Sequence, residues 1–236
     1  MFYGFDPLYF VFAIPGMLMA MWAQWRVKST FAKYAQVRNM HGLSGVDVAR
    51  RLMQDEQLQF LTVNQVPGEL TDFYNPADKS INLSQSSLQP SVAAMAVVAH
   101  ELGHAVQDKV GYVPMKVRGS IVGIANIGSN LGFLLVFMGL IFGASRGSSI
   151  GYGMAIIGLI LFSAAVFFTL ITLPVEFNAS SRAKQMLQRS GMVSAQDQAA
   201  VNAVLSAAAW TYVAAAAGAI LQFLYLALRV FGGNRR

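Results

Sequence analysis

Four stretches of the chain are apolar for long enough to cross a bilayer, and the one sizeable polar segment lies between the first and the second. The runs extend from about Phe5 to Gln24, Ser120 to Phe142, Ile150 to Leu173 and Ala208 to Leu228. Each reaches the roughly 20 residues that a helix needs to span a hydrocarbon core about 30 Å thick. Trp22 and Trp25 at the end of the first run suit an interfacial anchor. A cleaved signal peptide is the competing reading of that run. It is disfavoured because no basic residue precedes the run, whereas Arg26 and Lys28 follow it. The chain therefore divides into spans 1–25, 120–142, 150–173 and 208–228, polar segments 26–119 and 174–207, and a basic tail, 229–236. Gly128, Gly132, Gly139 and Gly143 put small residues along the second span, as close helix packing requires.

Inside the polar segment the pattern changes to that of a small folded domain. It predicts a helix over about Ser29–Asn39, a turn at His41–Gly45 and a second helix over about Gly45–Glu56. Ser44 is placed to cap that second helix, whose apolar stripe is Val46, Ala49, Leu52 and Met53. A strand-like stretch follows at Leu58–Val66, then a turn signal at Thr71–Pro76 and a short alternating strand at Lys79–Ser84. Pro90-Ser91 opens a helix whose residues Val92–Val98 are small and apolar, as a buried helix with tight neighbours requires. About 95 residues make a modest core, so this domain is expected to lean on the membrane helices.

Composition agrees. Of 236 residues 55% are hydrophobic and 12% charged, and mean hydropathy is +0.48. Soluble domains carry about 25% charged residues. The net charge of +6 does not point to nucleic acid, because the basic residues sit at the ends of apolar runs and no nucleic-acid-binding module is present. Arg26, Lys28, Lys33 and Arg38 follow the first span, Lys116 and Arg118 precede the second, and Arg182, Lys184 and Arg189 separate the third from the fourth. Against them stand Arg146 between the second and third spans and Arg229, Arg235 and Arg236 at the end. The balance puts both polar segments on the cytoplasmic side and both termini outside.

The chain has no cysteine, so a metal would be held by His, Asp or Glu. It has three histidines and four glutamates, and three of these seven residues form His100-Glu101-Leu102-Gly103-His104. Such a pattern arises by chance about once in a thousand chains of this composition. On a helix, positions i and i+4 share a face, so both imidazoles reach one ion, while Glu101 lies about 100° away, where it can touch a bound water. The bland alternative is a buried helix with hydrogen-bonded histidines. A catalytic zinc site usually has three protein ligands and one open position. His41, in its glycine-flanked turn, suits an exposed or capping role better. Glu176, in Leu173-Pro174-Val175-Glu176-Phe177-Asn178-Ala179-Ser180, is the stronger candidate, with an interfacial charge or helix cap as the alternative. Both segments abut predicted spans on the same side.

The chain resembles the YugP-type neutral zinc metallopeptidases, a family of membrane-bound bacterial enzymes. The resemblance rests on Phe73–Pro76, Ile81–Ser84, His100–Asp108, Gly111-Tyr112, Leu173–Ser180 and Trp210–Ala215. Glu176-Phe177-Asn178-Ala179 is also similar to the corresponding stretch of broader membrane gluzincins, in which the glutamate is the third zinc ligand. The resemblance implies one zinc ion on His100, His104 and Glu176, with Glu101 as general base. One position departs: Asn178 stands where those families would carry an aspartate to receive a histidine N–H, and it supplies an acceptor without the charge. Tyr74, Tyr112 and Tyr212 are candidate donors to an oxyanion. Ile81, Asn82 and Leu83 are candidates for pairing with an extended substrate, the alternative being an ordinary structural strand.

The expectation is a mainly α membrane protein of the bacterial plasma membrane, with about four transmembrane helices and a small α+β zincin-like domain. Its function would be endopeptidase action on peptides or membrane proteins near the cytoplasmic face, alone or with copies or partners in the bilayer. Two alternatives compete. A non-catalytic zinc scaffold would have no need of Glu101. An intramembrane site-2 protease would bear its motif inside a span and carry an Asp-Gly ligand motif, whereas Lys109, Lys116 and Arg118 follow this one and no Asp-Gly occurs. Asn82-Leu83-Ser84 and Asn178-Ala179-Ser180 match a glycosylation sequon, and both are read as accidental on the cytoplasmic side.

Overall fold

The computed structural model describes residues 6–143 and 147–232. The readings placed on Phe5, Arg146, Arg235 and Arg236 lie outside the described residues. The chain is a mainly α membrane protein with a small three-stranded sheet, and four of its helices are long and apolar enough to cross a membrane. It forms two compact units. One comprises Met1–Trp22, Val117–Leu173 and Tyr212–Arg236, the other Ala23–Lys116 and Pro174–Thr211.

Helix α1 runs from Pro7 to Ala35 without interruption, so the separate helix expected from Ser29 is its continuation. No glycine or proline lies between Gly16 and Ala35 to break it. Asp6 accepts the Leu8 N–H at 3.1 Å, and Pro7 starts the helix where its missing N–H costs nothing. The helix stops at Ala35, short of the expected Asn39, because the next residues bond elsewhere. Val37 O accepts from Val92 N, and Asn39 N donates to Pro90 O.

Helix α4 (Val113–Ile127), most of which lies in the first unit, begins before the expected Ser120 and passes through a π-helical turn at Gly128–Gly132 into α5 (Phe133–Ile141). The glycines allow close approach to α6 (Ser149–Arg189). A Cβ on Gly128 would lie 2.2 Å from the Leu161 carbonyl oxygen, and one on Gly139 would lie 2.5 Å from that of Gly151. Val136, Ala155, Leu159, Phe162, Leu226 and Val230 form this unit's buried cluster, the last two from α7 (Ala195–Gly232). Val11, Ile124, Phe137 and Ile160 are exposed apolar side chains of the kind that lipid would cover.

The second unit holds the sheet. Helix α2 (Gly45–Asp55) opens with a capping box in which Ser44 and Asp47 satisfy each other's backbone N–H groups. Its buried face is Val48, Ala49, Leu52 and Met53, with Val46 only partly covered. Strand β1 is Thr62–Val66, β2 is Phe73–Asn75 and β3 is Ser80–Ser84. The expected turn at Thr71–Pro76 therefore contains a strand. The sheet order is β1-β3-β2, with β1 parallel and β2 antiparallel to β3. Helix α3 (Val92–Lys109) opens just after Pro90-Ser91 as expected, is capped by Ser91, and lies in the core among Leu52, Leu58, Ile81 and Leu83. Met186 and Leu187 of α6 and Val201 and Leu205 of α7 complete that core, so the helices that carry apolar spans also supply the domain's interior. Each large aliphatic side chain buried there contributes about 1.5–3 kcal/mol.

Candidate metal centre

Helix α3 carries His100, Glu101 and His104, and α6 carries Glu176. Gly103, between the histidines, makes their meeting sterically feasible: a Cβ there would lie 2.5 Å from the Ala179 carbonyl oxygen. Two backbones touch where glycine permits it, and Glu176, one turn before Ala179, is delivered to the histidine face. α6 continues through Pro174 rather than ending at Leu173, giving up the helical bond that a residue 174 N–H would make.

The Glu176 Oε2 atom lies 3.1 Å from His100 Nε2 and 3.5 Å from His104 Nε2. The donor atoms of all three residues fall within 4.8 Å of one another, and the carboxylate is almost wholly buried. Tetrahedral zinc with bonds of about 2.0–2.1 Å would separate its donors by about 3.3 Å, so this set fits the ion. The other ring nitrogens are held as well. His100 Nδ1 meets Ser180 Oγ at 3.2 Å and His104 Nδ1 meets Gln107 Oε1 at 3.0 Å. Both rings thus turn Nε2 toward Glu176. Burial disfavours a charged His104 ring, but the facing Glu176 and Glu101 carboxylates outweigh it and raise its pKa.

Glu101 is buried beside the cluster, and its Oε2 accepts the Tyr74 backbone N–H at 2.9 Å. Burial raises its pKa, against the pull of both histidines and of that N–H. The Tyr74 hydroxyl is occupied elsewhere, donating to Asp108 Oδ2 at 2.6 Å, and Lys79 Nζ binds the same oxygen. Burial and the Asp108 carboxylate push the Tyr74 phenol up, while Lys79 and Tyr74 hold Asp108 below its ordinary value despite burial.

The remaining residues singled out from the sequence are distributed as follows. Tyr112 Oη is 3.5 Å from Pro174 O, a marginal contact. Tyr212 falls in the other compact unit. His41 is outside the cluster, its Nε2 3.3 Å from Gly191 O. Ile81, Asn82 and Leu83 do not offer a free strand. β3 is central, paired along its length with β1 and over Ser80–Asn82 with β2, so a substrate cannot add to it there. Among the described residues Asn178 bonds to groups other than a histidine ring. Its Oδ1 accepts from Gln107 Nε2 at 3.0 Å and from Arg182 Nε at 2.7 Å. Gln107 and Ser180, the groups on the histidine rings, were not anticipated. Their positions, one turn past His104 on α3 and one turn past Glu176 on α6, are the available signal.

Comparison with known proteins gives the same chemistry. A family model described as "Putative neutral zinc metallopeptidase" matches residues 9–231. The chain is 40% identical over 228 residues to "Putative membrane protease YugP" of Bacillus subtilis, covering 96% of this chain and 98% of that protein. No solved structure matches the chain. The donor cluster, the spans and a match over nearly the whole length agree, and the chain belongs to the neutral zinc metallopeptidase family so described.

Proposed function

We propose that this protein is a membrane-embedded zinc endopeptidase that hydrolyses peptide bonds of membrane proteins or peptides near the cytoplasmic face of a bacterial plasma membrane. The observation that carries the reading is the Glu176 carboxylate facing two Nε2 atoms, with a buried glutamate alongside. His100, His104 and Glu176 would hold one zinc ion. When bound, the ion supplies Lewis acidity that brings the pKa of water toward neutrality and polarises a carbonyl.

The chain's own groups do the rest. Glu101 takes the proton of the attacking water on a carboxylate oxygen and passes it to the leaving amine. The Tyr74 N–H holds one of its oxygens and leaves the other for the proton. Serine and glutamine on the Nδ1 atoms fix the rings. With the Tyr74 hydroxyl committed to Asp108, Tyr112 is the better placed tyrosine in this unit to donate to an oxyanion. Pairing with an extended substrate would fall to β2, an edge strand adjoining Glu101. The substrate partner is a peptide chain at the lipid surface, a reading supported by the relative's description as a membrane protease.

Glu101→Gln in the full-length protein should retain zinc and lose peptide hydrolysis. Hydrolysis at the wild-type rate in that variant would refute the assignment. Zinc binding without hydrolysis in either protein, under conditions in which the fold is intact, would favour the structural scaffold instead.

A further inference from the structure

We infer that Gln107 is the positioning residue that fixes the His104 tautomer for metal binding, its own amide locked by Val175 and by the Arg182–Asn178 pair. The inference rests on the proposed ligand set. Gln107 is fully buried and every polar atom of its side chain faces a partner. One end lies 2.7 Å from the Val175 carbonyl oxygen, which can only accept, so that end is the NH2 group. The same end lies 3.0 Å from one arm of the Asn178 amide. The Arg182 guanidinium, which can only donate, contacts that arm at 2.7 Å, so the arm is the oxygen.

With both amides oriented, Gln107 can present only its oxygen to His104 Nδ1. That nitrogen must then carry the hydrogen, and the neutral ring has its lone pair on Nε2, the atom turned to Glu176. A chain of fixed donors and acceptors therefore runs from Arg182 to the metal-facing nitrogen. It also explains Asn178. The acceptor at a ligand histidine is supplied by Gln107, and position 178 needs only an oxygen between two donors. An aspartate would meet that need, and so does the asparagine present here.

The test compares zinc affinity, by competition with a chromophoric chelator, in the full-length protein in lipid nanodiscs. Gln107→Leu removes the acceptor with little change in volume and should weaken zinc binding about 10- to 100-fold. Gln107→Glu keeps an oxygen on Nδ1 but sets its other oxygen against Val175 O. It should melt at lower temperature than wild type and yet bind zinc within a few-fold of it. Asn178→Asp should bind zinc within a few-fold, and Asn178→Leu more weakly.

Histidine nitrogen NMR on the zinc-free protein at alkaline pH gives a direct reading. The His104 hydrogen should sit on Nδ1 in wild type and be shared between the nitrogens in Gln107→Leu. Affinity that tracks melting temperature across the variants, or an unchanged tautomer in Gln107→Leu, overturns the inference. Wild-type protein that binds no zinc overturns the ligand set instead, so the two failures are distinguishable.

Discussion

Tyr74 holds the helix of the metal motif at two points: its backbone N–H meets Glu101 and its hydroxyl meets Asp108, two turns further along α3. One strand residue thereby fixes both the height and the rotation of the glutamate relative to the sheet. The two contacts are chemically separable, because only the second needs the side chain's oxygen.

Tyr74→Phe should therefore cost about 1.5–3 kcal/mol of stability, the usual net worth of a hydrogen bond to a charged group. Hydrolysis should fall by less than about threefold, since the main-chain N–H on Glu101 survives. A drop of 10²–10³ in kcat would instead mark the phenol as an oxyanion donor. Thermal unfolding and steady-state kinetics on one preparation decide between them.

Tyr112→Phe makes the reciprocal case. Among the described residues its hydroxyl holds only the marginal contact to Pro174 O, so the fold should be unaffected. If Tyr112 donates to the oxyanion, kcat should fall about 10²-fold with zinc content unchanged. An unaltered kcat removes it from the mechanism.

Gly103→Ala inserts a methyl group at the point where α3 and α6 touch. With only 2.5 Å to the Ala179 oxygen, the helices must separate. Overpacking of this kind costs about 1–3 kcal/mol. Displacement of Glu176 from the histidines should lower zinc content in parallel. Melting temperature and metal analysis together check it, and full zinc occupancy with an unchanged melt would contradict the contact.

The site should also bind zinc in a pH-dependent manner. In the zinc-free protein the His104 pKa is raised, so its ring holds a proton at pH values where an ordinary histidine is neutral. Zinc requires the neutral ring, so binding releases that proton, and affinity falls as pH is lowered through the raised pKa and below it. Calorimetry in buffers of different ionisation enthalpy should register the release. Enthalpies independent of buffer would argue that the ring is already neutral.

The spans and the metal motif were legible because each is written in consecutive residues: an apolar run, or two histidines and a glutamate within one helical turn. Even there the boundaries of α1 and α6 were missed. Their polar extensions send Phe31 of α1 and Ala183, Met186 and Leu187 of α6 into the buried core of the second unit, which no local pattern reveals. Strand β2 was hidden because Phe-Tyr-Asn-Pro has the composition of a turn and becomes a strand only through its pairing with Ser80–Asn82. Gln107 was invisible for a stronger reason. Its partners Val175 and Asn178 lie 68 and 71 residues away, and a glutamine on a buried helix carries no signature until they arrive.

The division of the cluster between α3 and α6 bears on how such a protein is made. On the proposed ligand set, a nascent chain that has emerged only as far as His104 carries two imidazoles and a base but not the third ligand, Glu176. The third ligand follows Leu173 and leaves the ribosome after the third apolar run. On that proposal the site stays incomplete, and the protein silent, until the segment of α6 that follows the third apolar run has been made.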